Sequence, residues 1–308
     1  MKFISLALVL IMFVAQSYCF LSTGHMIISR IAYEEIKKKD PGLLSKIEKE
    51  INELTQYSKE DKHSFVESAV WADDNKGVGW TAFNDWHFVD TPVVTPDFHG
   101  ETETNKMNVT WAIYEMKKTL SNNRKPSFDS TLALSFAWRY LIHLVGDIHQ
   151  PLHASTLYSK EFPNSDRGGN SFKINYPEDK QIKNLHALWD ACVDQYGSLW
   201  APLSSGDWNS ITQYVDSITS EYPRSKVQDR VKILDDRKWA QESYEISKNV
   251  VYDGISNGDT PSKQYIDRGR KVVNEQLAVG GYRLADLMMS LNRNGADSIV
   301  SDLLRLSE

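Results

Sequence analysis

The chain has 308 residues, with 41 Asp and Glu against 35 Lys and Arg, and a net charge of −6. That length accommodates a large core in one or two domains, and the acidic balance excludes a protein that grips nucleic acid chiefly through a basic surface. Only two cysteines, Cys19 and Cys192, are present, which excludes a scaffold stapled internally by several disulfides.

The first nineteen residues, MKFISLALVLIMFVAQSYC, combine Lys2, an apolar run from Phe3 to Ala15, and the small residues Ser17 and Cys19 at minus three and minus one. This is the pattern of a cleaved secretory signal; the apolar run is short for the ~20 residues of a membrane span. The expected products are a signal peptide, 1–19, and one mature domain, 20–308, that starts at Phe20, keeps Cys192 as its only thiol and inserts into no membrane. Its expected route is the secretory pathway, ending outside the cell or in a lysosome- or vacuole-like compartment.

From His25 onward the pattern is helical almost throughout. Ile27, Ile28, Ile31 and Ala32 form one stripe with Glu and Lys opposite, and the stretch GLLSKIEKEINEL after Pro41 repeats the design. WAD closes a helix at Asp73, and 73–103 reads as a loop. Residues 105–121 and 129–147 read as long helices, the second apolar nearly all round and therefore central. Asn108, in NVT, is a glycosylation acceptor in a secretory chain. Loops are expected near 157–171 and 254–264, and helices over 208–221, 236–253 and 264–292. SFKINY, 171–176, alternates after the turn DRGGN and is expected to form a small β-hairpin. With no repeat or linker, the fold class is mainly α, in a single domain.

The densest chemistry lies in YLIHLVGDIHQPLHA, 140–154. His143 and Asp147 are four apart and share a helix face. Pro151 turns the chain after Gln150, so His153 swings back towards Asp147. NLHALWD offers His186 and Asp190 at the same spacing, and Asp73, His87 and His25 are further donors. Imidazole and carboxylate are the ligands of catalytic zinc, and a shared cation removes the penalty of burying unpaired aspartates on apolar helices. Three histidines fall outside this set and read as surface or loop residues: His149, which faces away from Asp147, His63 and His99.

The segments STGHMIISRIA, SAVWADD, WHFVD, RYLIHLVGDIHQPLHA, DRGGNSFKI, NLHALWD and GGYRLADLM, in this order, span nearly the whole mature chain. Together they resemble the trinuclear-zinc type I nucleases of fungi and plants, which are single-strand-preferring and also act as 3′-nucleotidases. The resemblance implies a mainly helical zinc-nuclease fold, shared with zinc phospholipases C, and three Zn²⁺ per chain. Asp73, His87, His143 and Asp147 would hold one zinc, and His153, His186 and Asp190 a second. The third would use His25, a bridging Asp147, and the free amino group and carbonyl of Phe20. The implied reaction is metal-assisted hydrolysis of single-stranded DNA and RNA, and of 3′-nucleotides, by a monomer, giving 5′-phosphorylated products. Metal charge in excess of three aspartates would draw phosphate into an acidic protein. Asp73 and Asp147 would serve catalysis, Lys76 and Asn170 would contact the phosphate or transition state, and Phe88 would stack a splayed base beside Asp90.

The chain departs from the family's pattern in two places. Phe20 stands where the family has Trp, and the mature chain can form no internal disulfide. The alternative is a zinc phospholipase C-like phosphodiesterase; against it stand WHFVD, Asp190 where those lipases are expected to carry Glu, and the lack of an added membrane-binding domain.

Overall fold

The computed structural model describes residues 22–56, 63–122 and 128–293. The expected signal segment and Phe20 lie outside them. Ten α-helices make up most of the described chain: α1 (Ser22–Lys39), α2 (Pro41–Asn52), α3 (Trp71–Gly77), α4 (Val109–Asn122), α5 (Phe128–Ile148), α6 (Leu185–Asp190), α7 (Ser205–Glu221), α8 (Arg224–Val231), α9 (Asp236–Ile246) and α10 (Lys263–Arg293). No described helix is long and apolar enough to cross a membrane.

Local chemistry sets several boundaries. Asp40 accepts from Leu43 N at 3.0 Å ahead of Pro41, which needs no hydrogen-bond acceptor at the first position of α2. Ser204 and Asp207 form a reciprocal capping box at α7. Asn184 caps α6 through Ala187 N at 2.8 Å.

Helix α5 is the central pillar, packed against α1, α2, α3, α4, α9 and α10. Its Ala137, Trp138, Tyr140, Leu141, Ile142, Leu144, Val145 and Ile148 are all buried. An aliphatic stripe alone would bury one face; from Ala137 to Ile148 this helix is covered all round, as the composition of that stretch demands. The carbonyls at its end are captured rather than solvated: Ser243 Oγ donates to Ile148 O at 2.6 Å and Gln276 Nε2 to His149 O at 2.9 Å. Helices α1 and α10 cross at close range, because Gly281 faces the Cβ of Ile31.

The small β element is not the expected hairpin. It is a parallel pair, β1 (Pro92–Val94) and β2 (Thr156–Tyr158), with Val93 opposite Leu157. Residues 171–176 make one antiparallel bridge, Lys173 to Asn184. Their alternation is real, since Phe172, Ile174 and Tyr176 are buried. Their outward backbone groups, however, bond a distant loop: Lys173 N donates to Asn257 Oδ1 at 2.6 Å and Asn175 N to Asp259 O at 2.8 Å. The expected loop over 73–103 also differs. Asp73 lies in the first turn of α3 rather than at a helix end, and Thr81–His87 is a 3-10 helix.

Candidate metal centre

Five segments converge beside the C-terminal half of α5. His143 and Asp147, four apart on that helix, are both fully buried. After Ile148 the backbone turns extended at Gln150 and tightens into the 3-10 turn Pro151–His153. This brings His153 Nδ1 to 3.4 Å from Asp147 Oδ1. The 3-10 helix Thr81–His87 delivers His87, α3 delivers Asp73, α1 delivers His25 and α6 delivers His186 and Asp190.

Asp147 is the hub. His87 Nδ1 lies 2.9 Å and His143 Nε2 3.1 Å from its Oδ2, and the two nitrogens are 2.9 Å from each other. His25 Nε2 is 3.4 Å from Oδ1, and the His25 ring stacks on His143 with centroids 4.1 Å apart. Asp73 Oδ1 is 3.7 Å from both His87 Nδ1 and His143 Nε2. A neighbouring group pairs His186 Nε2 with Asp190 Oδ2 at 3.1 Å, with His153 Nε2 3.6 Å from Asp190 Oδ1. Three donor sets able to hold a metal result: His25, Asp73 and His143; His87, His143 and Asp147; and His153, His186 and Asp190.

The far side of each ring decides what the near side can do. His143 Nδ1 donates to Ala69 O at 2.6 Å, His153 Nδ1 to His87 O at 2.8 Å, and His186 Nδ1 to Gly168 O at 2.6 Å. A neutral imidazole whose Nδ1 carries the proton turns a bare Nε2 lone pair towards the carboxylates. Asp147 Oδ1, Asp190 Oδ2 and His153 Nε2 are buried and accept no hydrogen bond among the described residues. Lone pairs facing lone pairs in a buried space repel unless a proton or cation lies between them. Backbone-locked imidazoles, carboxylates and this surplus of acceptors fit zinc, whose ligand histidines are held in the same manner.

The proton affinities carry the same message. Burial pushes the Asp147 carboxyl up, but His143, His153 and His87 outweigh it and hold it well below the usual carboxylate range. Burial lowers His153, yet Asp147 and Asp190 raise it to about 9. His87 falls to about 4 through burial and the Lys76 charge. Against the effect of burial, Asp73 stays ionised beside Lys76 and His143. The carboxylates, His143 and His153 thus favour positive charge at the centre, while burial keeps His87 and His25 neutral.

Lys76 Nζ pairs with Asp73 Oδ1 at 2.8 Å. Phe88 follows His87 in extended conformation, is half-buried, and among the described residues is not one of the side chains packed on the hydrophobic core. Asp90 is pushed up to about 6 by burial and by Asp166 and Asp85. Asn170 Nδ2 donates to Arg167 O at 3.0 Å, closing the glycine turn. Asn108 is half-buried at the start of α4, where its Oδ1 accepts from Trp111 N at 3.2 Å.

Of the histidines set aside, His99 is exposed, but the surface or loop assignment fails for two. His149 is fully buried: its Nδ1 donates to Val145 O at 2.7 Å, and its Nε2 accepts from Arg283 Nη1 at 3.0 Å. His63 is buried beside Arg139, with Nδ1 and Nη1 3.3 Å apart. Sequence reasoning also missed Gln150, fully buried, whose Nε2 reaches Asp190 Oδ1 at 2.6 Å. It missed Asp166 as well, which ties the glycine turn to β2 by accepting from Leu157 N at 2.8 Å and Tyr252 OH at 2.8 Å.

Comparison with known proteins agrees with this geometry. The S1/P1 Nuclease family model matches residues 20–293. Among similar curated proteins, Endonuclease 2 of Arabidopsis thaliana is 29% identical over 284 residues, covering 88% of each chain. Nuclease S1 of Aspergillus oryzae is 26% identical over 237 residues, covering 73% of this chain and 79% of its own. Nuclease P1 of Penicillium citrinum is 27% identical over 239 residues, covering 71% and 81%. The chain belongs to the S1/P1 nuclease family and is a phosphodiester-hydrolysing nuclease.

Proposed function

We propose that the mature protein is a zinc-dependent nuclease that cleaves single-stranded DNA and RNA to 5′-phosphorylated products and also acts on 3′-nucleotides. Three zinc ions are assigned to the residues around Asp147 and Asp190, with Phe20 completing the third site once the signal is cleaved after Cys19. The protein is read as a monomer in the secretory pathway, glycosylated at Asn108. The observation that carries this reading is the convergence of His25, Asp73, His87, His143, Asp147, His153, His186 and Asp190 in one buried cluster with bare acceptors at its centre.

Zinc supplies, when bound, Lewis acidity that lowers the pKa of water to ~7 and a field that offsets phosphate charge. The chain's own groups do the rest. Ionised Asp73 only accepts, so it orients the O–H of attacking water, while Lys76, held by Asp73 at 2.8 Å, meets the phosphate. Asn170 is a second polar contact at the turn bearing Gly168. Phe88 offers a face to any base that has left a stack, which favours single strands. Asp90 next to it recognises a base edge.

The test is metal analysis combined with parallel assays on denatured DNA and phosphatidylcholine. The expected result is three zincs per chain and release of 5′-phosphorylated nucleotides only. Hydrolysis of the lipid and not of DNA would move the chain to the phospholipase reading. A form beginning Met-Phe20, methionine retained, should hold about one zinc fewer, because an amide nitrogen is a poor donor. Full zinc in that form would remove Phe20 from the ligand set.

A further inference from the structure

Gln150 sits where α5, the 3-10 turn Pro151–His153 and α6 meet. It is fully buried, and its four polar groups are divided among all three elements. Its backbone N donates to Asp147 O at 2.9 Å, and its carbonyl accepts from His153 N at 3.0 Å. Its side-chain Oε1 accepts from Leu152 N at 2.5 Å. Because a backbone N–H can only donate, this contact fixes the orientation of the amide. Nε2 therefore faces Asp190, and donates to Oδ1 at 2.6 Å.

The consequence falls on Asp190. Its two oxygens are given separate tasks: Oδ1 receives the Gln150 amide, while Oδ2 stands bare, 3.1 Å from His186 Nε2. A carboxylate without that anchor could rotate and offer either oxygen, or turn away from His153 and His186. We propose that Gln150 is a positioning residue that aims Asp190 Oδ2 at the cation shared with His153 and His186, and that it ties this site to the one built on Asp147. The inference rests on the zinc reading above. Outer hydrogen bonds of this type are worth about 10–100-fold in metal affinity.

Two variants separate the roles of the amide. Gln150→Met keeps the volume and removes both side-chain bonds. Gln150→Glu keeps an acceptor for Leu152 N and, measured at a pH where the new carboxyl is ionised, sets a like charge against Asp190 in place of the donor. Zinc competition with a chromophoric chelator, visible spectra of the cobalt-substituted protein and melting of the metal-stripped protein are measured together, with Asp190→Asn alongside. The expected result is one metal ion held about 10–100-fold more weakly in both variants, with an altered cobalt spectrum. Both metal-free variants should still melt cooperatively, so that the weakened metal ion is read on a folded chain. Loss of zinc in Gln150→Met but not in Gln150→Glu would mean that the amide serves Leu152 alone and would overturn the proposal. So would parental affinity and spectra in both. If Asp190→Asn also leaves zinc binding intact, the metal assignment itself has failed, and the proposal with it.

Discussion

Gly146 lies directly beneath the imidazole of His25: a Cβ at this position would strike the ring's Nδ1. His25 is 1% exposed and stacked on His143, so the ring has no room to retreat. Gly146→Ala favours helix formation by about 1 kcal/mol, but it displaces a candidate ligand. The variant should remain folded and helical by circular dichroism while holding about one zinc fewer. Full zinc content would show that the ring does not serve as a ligand.

Gly281 makes the converse case. A Cβ there would meet Ile31 Cβ at 2.5 Å and Ile28 O at 3.0 Å, both tied to the α1 backbone. Relief requires moving a helix. Gly281→Ala should destabilise by about 1–3 kcal/mol despite the gain in helix propensity, read from the urea midpoint. An unchanged midpoint would mean that α1 and α10 do not cross this tightly.

Asp147→Asn should abolish turnover and lower zinc content. The change removes the charge to which His25, His87, His143 and His153 are all directed. Wild-type turnover at full zinc occupancy would contradict the role of Asp147 as hub.

Phe88→Ala should weaken binding of single-stranded DNA, by about 1–3 kcal/mol if one base stacks on it, and should spare cleavage of a small phosphodiester that lacks a base. A large fall in melting temperature, with both activities lost together, would make Phe88 a core residue.

His149 sets an acid limit. Burial and the charges of Arg283 and Arg230 hold its pKa well below the ordinary 6.5. The unfolded chain takes up a proton near that value and the folded chain does not, so stability is complete above it and declines as pH falls. At saturating zinc, His149→Asn should be less stable than the parent at pH 7.5, because buried Arg283 loses an acceptor. It should nevertheless lose stability more slowly than the parent between about pH 6.5 and 5. Parallel curves for the two proteins would assign the acid sensitivity elsewhere.

These residues also mark how much could be read from the sequence. The i,i+4 spacing of His143 and Asp147 and the proline after Gln150 are local facts, and they led to the cluster. The stripe of α1 and the nearly unbroken apolar run of α5 are equally local signals. His149 faces away from Asp147, as its spacing says, but the inference that it meets solvent fails because the C-terminal half of α5 is buried on every side. Its partner Arg283 lies 134 residues away, and no local pattern announces such a pair. Alternation in 171–176 signalled inward side chains correctly, but could not tell that the backbone bonds would go to 257–259. Short α3 and α8 carry too few turns for a period to emerge.

Cys192 is buried directly after α6, its thiol pushed far above its usual range by burial and by Asp190. It is the only cysteine among the described residues. A thiol in that condition is protonated and out of reach, so a sulfhydryl reagent can attack only when the segment carrying His186 and Asp190 opens. The rate of its labelling is therefore a clock for that opening, readable without introducing a probe, and chelation of zinc should make it run faster.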